Sequence, residues 1–208
     1  YKGIARCNKF ITNVESMVFD EAKKRRMLAE VKVLRANHYM HLSMTFGDVP
    51  LITEPQTVIN ANVPKTSRES IVSFIINDLK EAATALPTQD RIAGGEYGRL
   101  SKGAALGLLA RVYLYNDMFT EAAKAAKDVM DLGLYSLIEE ENINNLASKE
   151  LILERRMASS CDFEKKNFPI SFDKGNTGTC PSQNLVDAFQ TINGYDVTLT
   201  EEGWKSDD

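Results

Sequence analysis

Residues 101–133 read SKGAALGLLARVYLYNDMFTEAAKAAKDVMDLG, two apolar-periodic runs separated by a short break around Asn116 and Asp117. Ser101 can cap the first run, and Gly133 falls where a helix C-cap commonly sits. In the first run Leu106, Leu109, Ala110 and Tyr113 alternate large and small side chains. In the second, Ala122 lies twelve positions after Ala110. Two antiparallel helices approach closely only where side chains are small, so these alanines mark a packed helix hairpin. Gly103 and Gly107 favour close approach further, at a cost in helix propensity.

A hairpin of this length and small-residue spacing is the pattern of a tetratricopeptide (TPR) unit, about 34 residues long. The chain before it has the same character. Ile71, Ile75, Leu79, Ala82 and Leu86 form a stripe at helical spacing that Pro87 ends, and Thr66 with Glu69 reads as a capping box at its start. Residues 21–46 are expected to be a longer helix with a charged first turn, its Val31, Leu34, His38, Leu42 and Phe46 sharing one face. Residues 4–18 form another. The connector FGDVPLITEP, residues 46–55, cannot be helical: Gly47 breaks it, and Pro50 and Pro55 stop it. Its Phe46, Val49, Leu51 and Ile52 are expected to pin the helix exit against the core. GGEYG, residues 94–98, reads as a loop.

Beyond residue 134 the pattern changes. ELILERRMA (150–158) is β-like, with a helix as the alternative, residues 168–172 suggest a short strand, and SQNLVDAFQ (182–190) a short helix with Leu185, Val186 and Phe189 facing inward. Asn193-Gly194 is a turn signal, and no finished element is evident at WKSDD (204–208). The expected fold is mainly α: a TPR-like helical region over 1–134, and a loop-rich extension over 135–208 that carries short strands and a short helix and belongs to the same domain.

Charge and composition narrow the function classes. The chain has 208 residues, a net charge of −4 and no basic stripe, which argues against nucleic-acid binding through phosphate neutralisation. No apolar run approaches the roughly 20 residues that span a bilayer. The first ten residues carry no signal peptide, so a chain that begins at Tyr1 is expected to be a piece of a longer protein. Cys7, Cys161 and Cys180 form no CxxC pair. Cys161 and Cys180 could pair, and the odd count leaves at least one thiol without an intramolecular partner. His38 and His41 are the only histidines, and His38 sits on the apolar stripe, so it reads as a core or boundary residue rather than a metal ligand. Asp78 with Glu81, and Glu139 to Glu141, read as solvated helix faces or helix ends. No motif for phosphate binding, metal hydrolysis or nucleophilic catalysis is present. No enzyme activity, metal or cofactor is expected.

The aromatic residues divide into two groups. Tyr39, Phe74, Tyr113, Tyr115 and Phe119 fall in helical runs and are expected to pack the helices. Phe168, Phe172, Tyr195 and Trp204 fall in the extension, where an aromatic face on a loop suits stacking on a sugar ring, with neighbouring Asn or Asp binding hydroxyls. Packing the loops down is the alternative use of the same residues.

Longer stretches carry a family resemblance. AEVKVLRANHYMHLSMTFGDVPLITEP (29–55), SRESIVSFIINDLKEAATALP (67–87), GRLSKGAALGLLARVYLY (98–115) with FTEAAKAAKDVMDLGLYSL (119–137), and PSQNLVDAFQTINGYDV (181–197) resemble, in order, segments of SusD/RagB-like proteins. The resemblance implies a surface-exposed outer-membrane lipoprotein of Bacteroidetes-type bacteria. Such a protein binds a glycan, starch-like or another polysaccharide, without catalysis, and serves as a lid on a SusC-like TonB-dependent transporter. It also implies a lipid anchor outside this chain, since Cys7 lies in a helix-like stretch. The family offers no shared binding motif to carry over. The glycan-binding candidates are therefore Phe172, Tyr195 and Trp204, chosen as aromatics of the extension. The rival reading is a TPR-type protein-interaction scaffold with no glycan ligand.

Overall fold

A computed structural model describes residues 1–57, 60, 62–137 and 148–154, and beyond them 167, 168, 171, 178, 182, 184, 185, 188–191, 193, 195, 197–200 and 203–206. The chain divides into two compact units, Tyr1–Arg156 and Met157–Asp208.

The first unit is built from helices α1 (Lys2–Val14), α2 (Glu21–Phe46), α3 (Arg68–Ala85), α4 (Lys102–Leu114) and α5 (Phe119–Met130). Each packs on the next in sequence. The links between them enforce an antiparallel order. Asp48, just past α2, accepts a hydrogen bond from the Arg68 backbone N–H at the start of α3 (2.9 Å). The Lys102 N–H at the start of α4 donates to Pro87 O just past α3 (2.8 Å). The α4–α5 hairpin forms as its small residues require: Leu106, Leu109, Tyr113, Ala122 and Ala125 are all buried, and the Ala104 N–H donates to the Ser101 cap (3.2 Å). The stripe Ile71, Ile75, Leu79, Ala82 and Leu86 is buried throughout, none more than 5% exposed.

The capping of α3 differs from the expected box. Thr66 pairs with Val49 in a two-residue ladder between β1 (Val49–Pro50) and β2 (Lys65–Thr66), which holds it extended. The cap therefore moves one residue on, to Ser67, whose Oγ accepts from the Ser70 N–H (3.4 Å).

On α2 the core-facing residues are Ala29, Val33, Ala36, Tyr39 and Met40, together with Arg35 and Ser43. Of the stripe Val31, Leu34, His38, Leu42 and Phe46, Leu42 packs against the core, whereas Leu34, His38 and Phe46 are exposed. Leu34 is 47% exposed and Phe46 68%, so Phe46 does not pin the connector. The reason is that α2 packs on both α1 and α3 and buries polar groups on that wide face, which hides it from an apolar count. His38 is exposed yet abuts α1: a Cβ on Gly3 would fall 2.2 Å from His38 Nε2, so glycine makes room for the ring. This is a boundary position rather than a core one.

The connector is held by its backbone as much as by its side chains. Val49 is buried, and Leu51 packs against the core. The Tyr39 hydroxyl donates to Ile52 O (2.9 Å) and accepts from the Ile52 N–H (2.7 Å). Asn8 of α1 donates to the same carbonyl through Nδ2 (2.8 Å), and its Oδ1 accepts from Arg35 Nη1 (3.0 Å). Arg35 in turn closes a two-pronged ion pair on Asp78 and lies over the Phe74 ring, 4.8 Å from its centroid. Asp78 is thus a buried partner, 3% exposed, and not a solvated helix-face acid. Glu81, one turn on, does lie at the surface, paired with Lys32 of α2.

The end of the first unit folds back on the helices. Tyr135 lies over α4 where Gly103 leaves space: a Cβ there would sit 2.1 Å from the Tyr135 hydroxyl. Residues 148–154 form turns and bends rather than the expected strand, with the Leu151 N–H bonded to Ser148 O (3.3 Å) and Ile152 packed against the core. The run ELIL sinks one side chain into the helices instead of alternating across a sheet.

In the second unit the chain ends on a β-hairpin absent from the sequence reading. Strand β3 (Val197–Thr200) pairs antiparallel with β4 (Gly203–Ser206), Leu199 opposite Trp204. Of the short helix expected over 182–190, Asn184 and Leu185 are helical. Leu185 is 52% exposed and Phe189 68%, so neither faces inward. Val186, Cys161, Cys180, Glu139 to Glu141 and most of the strand expected over 168–172 lie outside the described residues. Cys7 is buried in α1 as a free thiol.

Candidate functional site

The aromatic candidates fall in the second unit. Tyr195 is 46% exposed and closes a turn: the Thr191 N–H donates to Tyr195 O (2.9 Å), and the Tyr195 N–H to Thr191 Oγ1 (3.2 Å). That turn leads into the hairpin whose second strand contains Trp204. Tyr195 thus lies two residues before β3, and Trp204 in β4. Phe172 lies outside the described residues.

The first unit has a groove of its own that the sequence reading did not single out. It holds about 440 Å3 between α2, α4, the loop at 98–100 and the segment around Leu153. Glu30, Val33, Leu34 and Asn37 of α2 line one side. This i, i+3, i+4, i+7 spacing puts all four on one helix face. Leu108 of α4, Leu100 and Leu153 complete an aliphatic floor. On the far side of Leu153, a second space of about 350 Å3 lies over Ala104, Gly107, Leu108 and Arg111, again one face of α4.

The rim is a charge network. Arg99 Nε donates to Glu30 Oε1 (2.9 Å), and its Nη2 bonds the other carboxylate oxygen. Arg26 Nη1 donates to Glu96 Oε2 (2.7 Å) and lies beside Glu30. The hydrogen bond from Arg26 holds the Glu96 carboxyl below the usual range, and the bond to Glu30 pushes the Arg99 guanidinium up. The Asn37 side-chain amide, by contrast, bonds no described residue. The signal that could have found this groove is the one-face spacing of Glu30, Val33, Leu34 and Asn37 on α2.

Among the described residues no group of three or more His, Cys, Asp or Glu could hold a metal ion, and no helix is long and apolar enough to cross a membrane.

The fold defines a class first: a helical-hairpin scaffold of TPR type, with an irregular segment packed across its inner helices. A family model described as "starch-binding associating with outer membrane" (SusD-like) matches residues 1–114, and the chain belongs to the SusD-like family. SusD-like protein P2 of Formosa agariphila is 32% identical over 215 aligned positions, covering 98% of this chain and 39% of that protein. A SusD-like protein of Bacteroides fragilis superposes with a TM-score of 0.83 at 30% identity, over 94% of this chain and 41% of that one. A laminarin-binding SusD-like protein does so with a TM-score of 0.68 at 35% identity, over 74% and 35%. The chain spans between 21% and 39% of the length of the curated relatives it matches.

Proposed function

We propose that the protein captures a glycan at the bacterial outer membrane, without catalysis, and delivers it as a lid to a SusC-like TonB-dependent transporter. The observation that carries this reading is the family match over residues 1–114, whose description names starch binding and the outer membrane. The laminarin-binding relative points to the same ligand class. In this reading the helices of 1–134 are the scaffold and the extension of 135–208 presents the ligand contacts. Phe172, Tyr195 and Trp204 supply apolar ring faces on which a sugar stacks, and a lipid anchor outside this chain holds the protein at the surface. Contacts of that kind, ring faces and neutral hydroxyls, make affinity modest and nearly independent of salt.

A glycan array followed by calorimetric titration tests the proposal. The expected result is binding to at least one oligosaccharide class that is unchanged between low and high salt and weakened about tenfold in Trp204→Ala or Tyr195→Ala. Absence of any glycan ligand overturns the function. Unchanged affinity in both variants overturns the assignment of these residues. Co-purification with a SusC-like protein from outer membranes tests the transporter partnership separately.

A further inference from the structure

We infer that Thr191 is a positioning residue for glycan capture, closing the turn over 191–195 so that Tyr195 presents its ring in one fixed direction. This role rests on the reading that Tyr195 stacks on a sugar. What carries it is the way the two residues are joined. The Thr191 N–H donates to Tyr195 O (2.9 Å), and Thr191 Oγ1 accepts from the Tyr195 N–H (3.2 Å). Thr191 thus bonds both backbone groups of Tyr195. Neither residue lies in a helix or strand, and β3 begins only at Val197, so no ladder holds this backbone in their place.

The N–H and C=O of Tyr195 flank φ and ψ, the two soft dihedrals that aim its side chain away from the backbone. Holding both groups therefore sets the direction in which the ring leaves the turn. Packing supplies only part of that order, since Tyr195 is 46% exposed and Asn193, inside the turn, is exposed as well. A ring held in advance loses less freedom when a ligand covers it, which is how a rigid aromatic anchor gains affinity without a new contact. Only one of the two bonds depends on the Thr191 side chain. Any residue except proline supplies the N–H at 191, but the acceptor is the side-chain hydroxyl. Serine keeps that oxygen. Valine keeps the branched shape and lacks it, leaving the Tyr195 N–H to water and the turn with a single closure. In this role Thr191 touches no sugar; it acts through Tyr195.

The test is calorimetric titration of the whole chain with a starch oligosaccharide and with a laminarin oligosaccharide, the classes named for the family and for one relative. Thr191→Val is expected to weaken binding about threefold to tenfold, and Thr191→Ser to stay within about twofold of the parent. Amide exchange without sugar gives an independent readout: the Tyr195 N–H should lose protection in Thr191→Val and keep it in Thr191→Ser. Tyr195→Ala separates this role from the reading beneath it. If it weakens binding while Thr191→Val matches the parent, the positioning role is overturned and the stacking reading stands. The role is also overturned if the Tyr195 N–H stays protected in Thr191→Val, or if Thr191→Ser loses as much affinity as Thr191→Val. If the parent binds neither oligosaccharide, the role has no ligand of these classes to serve and falls. If Tyr195→Ala binds as tightly as the parent, the stacking reading falls and the role with it.

Discussion

Arg35 of α2 and Asp78 of α3 form a two-pronged ion pair, Nε to Oδ2 at 2.8 Å and Nη2 to Oδ1 at 2.9 Å, with side chains 7% and 4% exposed. A buried pair of this kind contributes little beyond a well-packed apolar pair, but removing one partner strands a charge in the core. Asp78→Ala is expected to cost about 3–5 kcal/mol, read as a lowered urea midpoint. A loss below about 1 kcal/mol would show that the pair is not the hub it looks to be.

The Tyr39 hydroxyl satisfies both backbone groups of Ile52. Tyr39→Phe keeps the ring and removes both bonds, so a loss of about 1–3 kcal/mol is expected. Burial pushes the Tyr39 phenol from 10.0 up to about 12. A group raised on folding stabilises fully below its unfolded pKa and loses that contribution as pH climbs through its folded one. Stability of the parent should therefore fall between pH 10 and about 12, and Tyr39→Phe should lack that component in alkaline denaturation.

Gly103→Ala should destabilise although alanine is the better helix former by about 1 kcal/mol. Its Cβ would meet the Tyr135 ring at 2.1–2.7 Å. In a Tyr135→Ala background the same substitution should become neutral or favourable. A double-mutant cycle with no coupling would refute the contact.

Glu81 is held below the usual carboxylate range by its hydrogen bonds from Lys32 and Asn77. For an acid depressed on folding, the contribution is present above the unfolded pKa of about 4.5 and disappears as pH falls through the folded value. Glu81→Gln should cost about half a kcal/mol near neutrality, the scale of an exposed pair, and the gap from the parent should close as pH falls below 4.5 and through the lowered folded pKa. A gap that stays constant with pH would assign the effect to packing.

What could be read from sequence follows from which forces leave a periodic trace. The α3 stripe and α5 were legible because apolar and small residues recur at helical spacing on one buried face, and α4 because it is apolar and small nearly all round. The buried face of α2 was not, because Arg35, Glu30 and Ser43 interrupt it, and the apolar residues it leaves outside formed the misleading stripe. Asp78 looked like surface for the same reason: its partner lies 43 residues away, and no local pattern announces it. The groove was half-visible, as one face of α2 whose meeting with Leu108 of α4 only the fold shows. In the extension, turn residues marked Asn193. The β3–β4 hairpin is local, but its strands are joined through Glu201-Glu202, which carries none of the Gly or Asn that signals a two-residue turn.

The clasp of Asn8, Arg35, Asp78 and Ile52 also bears on how the first unit opens. Unwinding α1 alone would strand the Arg35 Nη1 donor and strip the Ile52 carbonyl of one of its two bonds, so α1, the connector, α2 and α3 should open together. Their amides should exchange with solvent at one shared, high free energy, while α5, outside the clasp, exchanges at a lower one. A shortened version of this unit keeps that cooperativity only if it begins upstream of Asn8.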